Sequence, residues 1–298
     1  MKVSYLNDAF FSRLETLALN FRTDLAGYYG GKHRVSTYGQ TVEFADYREY
    51  QRGDDIRRID WNLFSRFEKY FIKLFNDERQ MHIQIFVDCS ASMAQDTQKA
   101  EYALAFAAAL GFLSVQNMDK VSFKLIKGNK AEDKIGTIVG KNTFFSVINQ
   151  LEKIKFENEA HIAEAVTSCM GVGTNDGLTV IISDFFQDHD WKTAIDYLTY
   201  KKRQVLLIQV LTPEEADPTY TGRLNLIDCE SIDVADKRNL KLKVSYGVLE
   251  AYVQAFNEFE DEIRSYCISR NAGFISVTTD KSIEKVVFEE ILRVGLVG

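Results

Sequence analysis

The sequence predicts an α/β protein with a doubly wound, mostly parallel sheet, an N-terminal extension and a C-terminal β-hairpin. Three features carry that expectation. Two segments, Ile83–Val87 and Leu178–Ser183, are largely apolar runs of strand length, the pattern of strands covered on both faces. Helical stretches separate the strands after residue 81, which implies parallel pairing through right-handed crossovers. Both apolar runs end in a carboxylate, Asp88 and Asp184, and an open α/β sheet places its ligand site at the carboxyl ends of its strands.

Taken in order, Phe10–Tyr28 reads as one or two short helices, and Gly30-Gly31 interrupts the pattern. Residues 39–61 are dense in charge and aromatics without a clear period. Met81–Asp88 is the first strand of the alternation. Gln95–Gln116 is a helix whose middle, Ala103–Leu110, is almost wholly apolar, as expected of a buried helix. Val121–Ile126 is a strand, and Gly136–Val139 a short edge strand. Thr143–Ile154 and His161–Met170 are helices. After Leu178–Ser183 comes a helix over Asp190–Lys202, with Asp188 or Asp190 near its cap. Val205–Leu211 is a strand closed by Thr212-Pro213. Gly222–Asp228 and Glu230–Val234 alternate with period two and read as a hairpin at about 222–235. A long amphipathic helix follows, with Leu249, Tyr252, Val253, Phe256, Ile263, Tyr266 and Cys267 on its apolar stripe. Gly273–Thr278 is the last strand and Ile283–Val294 the last helix. The expected division is 1–80, an N-terminal extension, and 81–298, the α/β domain.

Composition narrows the function. The chain has 298 residues, 46% hydrophobic and 27% charged, which suits a globular protein of one large or two smaller domains. Its net charge is −7; of 36 basic and 43 acidic residues, 13 and 12 fall up to Arg79, so the remaining 23 basic and 31 acidic residues carry the excess. Nucleic acid as a main partner requires a basic face, and the expectation is none. The N-terminus lacks the apolar core of a signal peptide, and no apolar run approaches the length of a membrane span, so a cytoplasmic location is expected. Cys89, Cys169, Cys229 and Cys267 lack metal-type spacing and read as reduced thiols. His33, His82, His161 and His189 form no zinc-type pair.

The chemistry concentrates at Asp88-Cys89-Ser90-Ala91-Ser92. One carboxylate and two hydroxyls at alternate positions follow a buried strand. Oxygen-only donors suit a hard cation such as Mg²⁺ or Mn²⁺. The other reading is that these oxygens cap the following helix. Enzyme signatures are missing. There is no acid two residues after Asp88, no G-x-S-x-G elbow, and no phosphate loop of the G-x-x-x-x-G-K-[ST] type. Asp54-Asp55 reads as a turn with a helix cap.

The D-x-S-x-S spacing resembles the metal-ion-dependent adhesion site (MIDAS) of von Willebrand A domains. A second stretch accompanies it: Glu43-Phe44, Tyr47-Arg48, Tyr50, then Gly53-Asp54-Asp55-x-Arg57-x-Ile59-Asp60-Trp61, then Lys73, Phe75 and Glu78. Together they resemble bacterial domain-of-unknown-function family fifty-eight, which is von Willebrand A-like and usually encoded beside MoxR-type AAA+ ATPases. From about Gly39 onward the resemblance covers most of the chain. It implies a von Willebrand A-like fold with Asp88, Ser90, Ser92 and Asp184 as metal ligands, and Mg²⁺ or Mn²⁺ as cofactor. It also implies a non-enzymatic, metal-dependent protein-binding module acting with a MoxR-type ATPase, or another protein that supplies an acidic ligand residue. A metal-dependent phosphoesterase and a scaffold with a degenerate metal site are the alternatives. One departure is visible: Ala160 stands where von Willebrand A domains supply a threonine, with Thr143 or Thr174 as substitutes from other loops. For Arg48, Asp54, Asp55, Arg57, Asp60 and Trp61 two readings stand. Either they form a partner surface, or the charges pair internally while Trp61 packs against the core.

Overall fold

The computed structural model describes residues 6–26, 42–52, 54–77, 81–172, 177–186, 190–227 and 239–291. In chain order the elements are α1 (Asp8–Ala26), β1 (Val42–Glu49), α2 (Trp61–Phe67), β2 (Phe71–Asp77), β3 (His82–Asp88), α3 (Thr97–Gln116), β4 (Lys120–Lys127), β5 (Lys130–Glu132), β6 (Thr137–Val139), α4 (Lys141–Val147), α5 (Ile162–Ser168), β7 (Leu178–Ser183), α6 (Asp190–Tyr200), β8 (Gln204–Leu211), α7 (Pro213–Ala216), β9 (Gly222–Ile227), β10 (Asn239–Val244), α8 (Tyr246–Ser269), β11 (Gly273–Thr278) and α9 (Ile283–Val286). Two compact units result, one of residues 22–80 and one of residues 1–21 with 81–298.

In the larger unit the main sheet runs β11-β8-β7-β3-β4-β5, with β6 also on β4. The five strands β11, β8, β7, β3 and β4 are parallel, and β5 and β6 pair antiparallel with β4. From β3 the chain goes one way to β4 and later returns on the other side to β7. The order therefore reverses between β3 and β7, which makes their carboxyl ends the topological switch point.

Burial explains the apolar runs. Every residue of β7 is buried, as are all of β3 but its first. Alternate residues of β3 serve opposite cores. Ile83, Ile85, Val87 and Cys89 pack with α3, and Phe86 packs with α5 and α6. α3 is buried over most of its length, from Lys99 to Val115. Gly111 allows its close approach, because a β-carbon there would come within 2.7 Å of the Phe123 ring. Among the described residues no helix is long and apolar enough to cross a membrane. Cys89, Cys169 and Cys267 are free thiols; Cys229 lies outside the described residues.

Several expected bounds shift. The N-terminal helix is single, and Phe10, Phe11 and Leu14 lie in the α3-side core. The Phe11 ring is 5.1 Å from that of Phe112 and 5.7 Å from that of Phe144. Residues 1–21 thus group with the α/β unit rather than with an extension ending at residue 80. The hairpin pairs Gly222–Ile227 with Asn239–Val244. Its second strand is therefore later than the expected 230–234, which lies outside the described residues. The last helix is α9 followed by a wider turn over Val287–Ile291.

The smaller unit holds the antiparallel pair β1–β2, with a register shift between Phe44 and Asp46, and α2. Its charges are largely satisfied internally. Arg48 Nη2 is 2.9 Å from Asp54 Oδ1, and the other Asp54 oxygen accepts from the Gln51 N–H. Asp55 accepts from the Arg57 N–H and caps a 3₁₀ turn. Asp60 caps α2 through the Asn62 and Leu63 N–H groups, and also binds Lys73 Nζ at 3.0 Å and the Tyr47 hydroxyl. The Lys73 bond holds the Asp60 carboxyl below its ordinary pKa. Asp60 thus pairs with a lysine of β2. Trp61 differs from the core position expected of it: it is 59% exposed, in edge contact with Phe64 and Tyr70. Its place at the first position of the short α2, in which no residue is buried, accounts for that.

Candidate metal centre at the sheet's switch point

β3 ends at Asp88 and β7 at Ser183, on neighbouring parallel strands. Their register, Val87 beside Ile182, brings Asp88 next to Ser183. The Ser183 hydroxyl donates to Asp88 Oδ2 at 2.6 Å, and the Ser90 N–H donates to Asp88 Oδ1 at 2.8 Å. The hydroxyls of Ser90 and Ser92 are 2.9 Å apart. Asp88, Ser90, Ser183 and Asp184 are all nearly inaccessible to solvent. The capping alternative does not describe this motif, since α3 is capped by Asp96, whose carboxylate accepts from the Gln98 N–H.

Asp184 follows Ser183 directly. Its Oδ1 accepts from the Phe186 N–H, and the intervening Phe185 has a left-handed φ of 57°. That conformation costs a bulky residue of the order of 1–3 kcal/mol and turns the chain out of the strand. Asp184 Oδ2 takes Lys99 Nζ at 2.9 Å, and the same ammonium reaches Glu215 Oε1 at 2.8 Å. Glu215 is positioned by the capping box of α7, where Thr212 and Glu215 bond each other's backbone N–H groups. Its carbonyl also accepts from the Tyr252 hydroxyl of α8.

The electrostatics separate the two aspartates. Burial first, and then the neighbouring charge of Asp184, raise the Asp88 pKa from 3.8 to about 6. The bonds from Ser183 and Ser90 act the other way and are outweighed. Among the described residues no cation pairs with Asp88. Burial pushes the Lys99 ammonium pKa down, but the carboxylates of Asp184 and Glu215 prevail and hold it above its ordinary value.

Ala160 is fully buried in the apolar cluster with Phe86, Ile126 and Ile162. Its loop does reach the motif, since the Ala91 N–H donates to the Asn158 carbonyl and the Glu157 N–H to the Cys89 carbonyl. The loop expected to bring the threonine is therefore adjacent, and at position 160 it brings a methyl group. Thr143 is no substitute. It lies in α4, which follows β6, and β6 pairs with the amino-terminal half of β4, at the sheet's other end from Asp88. Thr174 lies outside the described residues.

The residues fit a hard divalent cation in charge and in donor type. With all groups ionised, Asp88, Asp184 and Glu215 against Lys99 leave two negative charges. The donors are carboxylate and hydroxyl oxygens, and each carboxylate oxygen has a second lone pair beyond the bond it accepts. Gln209 donates to the Asp184 carbonyl, while its own Oε1 is a buried acceptor without a hydrogen-bond partner among the described residues. Histidine and cysteine take no part, and no group of three or more His, Cys, Asp or Glu among the described residues forms a metal cluster. The donor set is thus hydroxyl-rich. Sequence reasoning overlooked Ser183, Lys99 and Glu215. Of these, Ser183 was reachable, since it closes the second apolar run as Asp88 closes the first, and residues at the same register on neighbouring parallel strands lie side by side.

Residues 46–246 match the family described as Protein of unknown function DUF58. The chain belongs to that family. It is 28% identical over 224 residues to uncharacterised proteins of Mycobacterium tuberculosis and Mycobacterium bovis, an alignment spanning 73% of this chain and 70% of each relative. Among solved structures it is similar to the conserved hypothetical protein BatB from Bacteroides thetaiotaomicron, with 18% identity over 72% of this chain and 98% of that one, at a TM-score of 0.43. It is also similar to a von Willebrand factor type A protein from Catenulispora acidiphila, with 9% identity over 47% of this chain and 35% of that one, at a TM-score of 0.33. The fold is a doubly wound, mostly parallel α/β sheet with the D-x-S-x-S motif at its switch point.

Proposed function

We propose that this chain is a non-enzymatic protein-binding module whose contact point is a Mg²⁺ or Mn²⁺ site at the carboxyl ends of β3 and β7. Asp88 with the hydroxyls of Ser90 and Ser92 would hold the ion, and Asp184 would stand behind them. The observation that supports this most is Asp88 itself. It is a buried carboxylate at the switch point, flanked by hydroxyls, with no cation partner among the described residues. Bound there, a divalent ion supplies a Lewis-acidic position that an acidic side chain of a partner completes. Ser183 and the Ser90 N–H orient the Asp88 carboxylate for that contact.

The partner class we propose is a MoxR-type AAA+ ATPase, or another protein presenting an Asp or Glu. An ATPase partner works where ATP is held, which puts the module in the cytoplasm. The charged segment with Arg48, Asp54, Asp55, Arg57, Asp60 and Trp61 is a second candidate contact. Trp61 is its exposed aromatic, and Arg57 is in no ion pair among the described residues.

Calorimetry with Mg²⁺ and Mn²⁺ on the wild type and on Asp88→Ala tests the reading. It expects saturable binding by the wild type that Asp88→Ala abolishes. Equal, negligible heats from both proteins would remove the cation from the account.

A further inference from the structure

We propose that Lys99 is a tethered counter-cation that competes with the divalent ion for Asp184 and so sets how tightly this site binds metal. The inference deepens the cation-site reading and rests on it.

Lys99 arises from the first turn of a helix that is otherwise buried and apolar along its core face. Its side chain is 1% exposed, against 3% for Asp184 and 25% for Glu215. Nothing in helix packing requires an ammonium there. A lysine enters such a place only if its charge is compensated, and the two carboxylates at 2.9 and 2.8 Å do this. Asp184 is then committed on both oxygens, one to Lys99 and one to the Phe186 N–H.

A divalent ion drawing on Asp184 has to share that carboxylate with a fixed positive charge, and the two cations repel. In a site shielded from water the repulsion is large on the scale of a metal-binding free energy. Asp88, in contrast, has only neutral donors on it and is open to the ion. Glu215 gives Lys99 a second anchor, so the ammonium stays paired when Asp184 swings toward the ion. That anchor is fixed by the α7 capping box and bound to α8 through Tyr252.

A purely structural ion pair predicts the opposite response to its removal. Breaking it would loosen the site and weaken metal binding. Competition predicts that metal binding tightens.

The test is Mn²⁺ calorimetry on the full chain, comparing wild type, Lys99→Met, Glu215→Gln and Asp88→Ala, with thermal melting in chelator and in Mn²⁺. Methionine keeps the apolar stem of lysine without its charge. Lys99→Met is expected to bind Mn²⁺ about tenfold or more tightly than the wild type, and its melting temperature to rise further on adding Mn²⁺. Glu215→Gln retains the ammonium, leaves it on Asp184 alone, and is expected to bind Mn²⁺ more weakly than the wild type. Weaker binding there also follows from the lost charge of Glu215, so Lys99→Gln stands in if Lys99→Met does not fold, and an affinity for Mn²⁺ no tighter than the wild type's then overturns the proposal. Binding by Lys99→Met equal to or weaker than the wild type, with Asp88→Ala abolishing both, overturns the role of Lys99 and leaves the cation site standing. No binding by any variant overturns the cation site, and the role of Lys99 with it.

Discussion

Replacing Asp88 by Asn should change the pH dependence of stability in a direction that the burial of this carboxyl fixes. In the folded chain its pKa is raised from 3.8 to about 6, chiefly by burial and then by Asp184. The folded state therefore holds the proton more strongly than the unfolded state does. Below about pH 4 both states are protonated and the group costs nothing. Between about pH 4 and about pH 6 the unfolded chain gives up this proton while the folded protein keeps it, so stability falls across that window and levels off above it. At about 1.4 kcal/mol per pH unit, moving from 3.8 to about 6 amounts to about 3 kcal/mol by neutral pH. Asparagine keeps the shape, can accept from the Ser90 N–H, and does not titrate. Urea unfolding in chelator would measure wild type and Asp88→Asn at about pH 4 and about pH 7.5. The stability difference should move in favour of Asn by about 2.5 kcal/mol between the two, because a small part of the cost is already present at about pH 4. A difference that stays constant, or moves the other way, would refute the claim that Asp88 is a buried carboxylate without a cation in the metal-free protein.

Two further predictions concern the scaffold. Phe11→Ala should cost about 3–5 kcal/mol in unfolding free energy, because that ring fills the core between Phe112 and Phe144; a cost near zero would mean that the first helix is not part of the α/β unit. Gly111→Ala should cost about 1–3 kcal/mol by denaturant unfolding, since its methyl would meet Phe123 at 2.7 Å and Phe144 at 3.2 Å.

What the sequence made legible follows from what each segment buries. β3 and β7 stood out because both faces are covered, and a doubly covered strand has no polar alternation to blur it. β1 and β2 did not, because Val42–Glu49 and Phe71–Asp77 mix charges and aromatics in a two-stranded ladder. β10 was passed over although Leu240, Leu242 and Val244 alternate with Lys241 and Lys243. The nearer run 230–234 offered the same period, and period alone does not choose between two candidate partners. At the site, Asp88, Ser90 and Ser92 were readable because they are local in sequence. Asp184 was readable because it repeats the strand-end pattern. Lys99 was hidden by distance: 85 residues separate it from Asp184, and their contact depends on how α3 lies across the sheet. The cost of burying a charge gave the available hint, since a lysine entering an apolar helix needs a carboxylate somewhere.

The most direct measurement is a crystal structure of the chain soaked in Mn²⁺, read by anomalous scattering. The account predicts a peak at the tips of β3 and β7, about 2.1 Å from an Asp88 oxygen and in contact with a Ser90 or Ser92 hydroxyl. A cluster without Mn²⁺, with Asp88 bonded only to Ser183 and the Ser90 N–H, would contradict it.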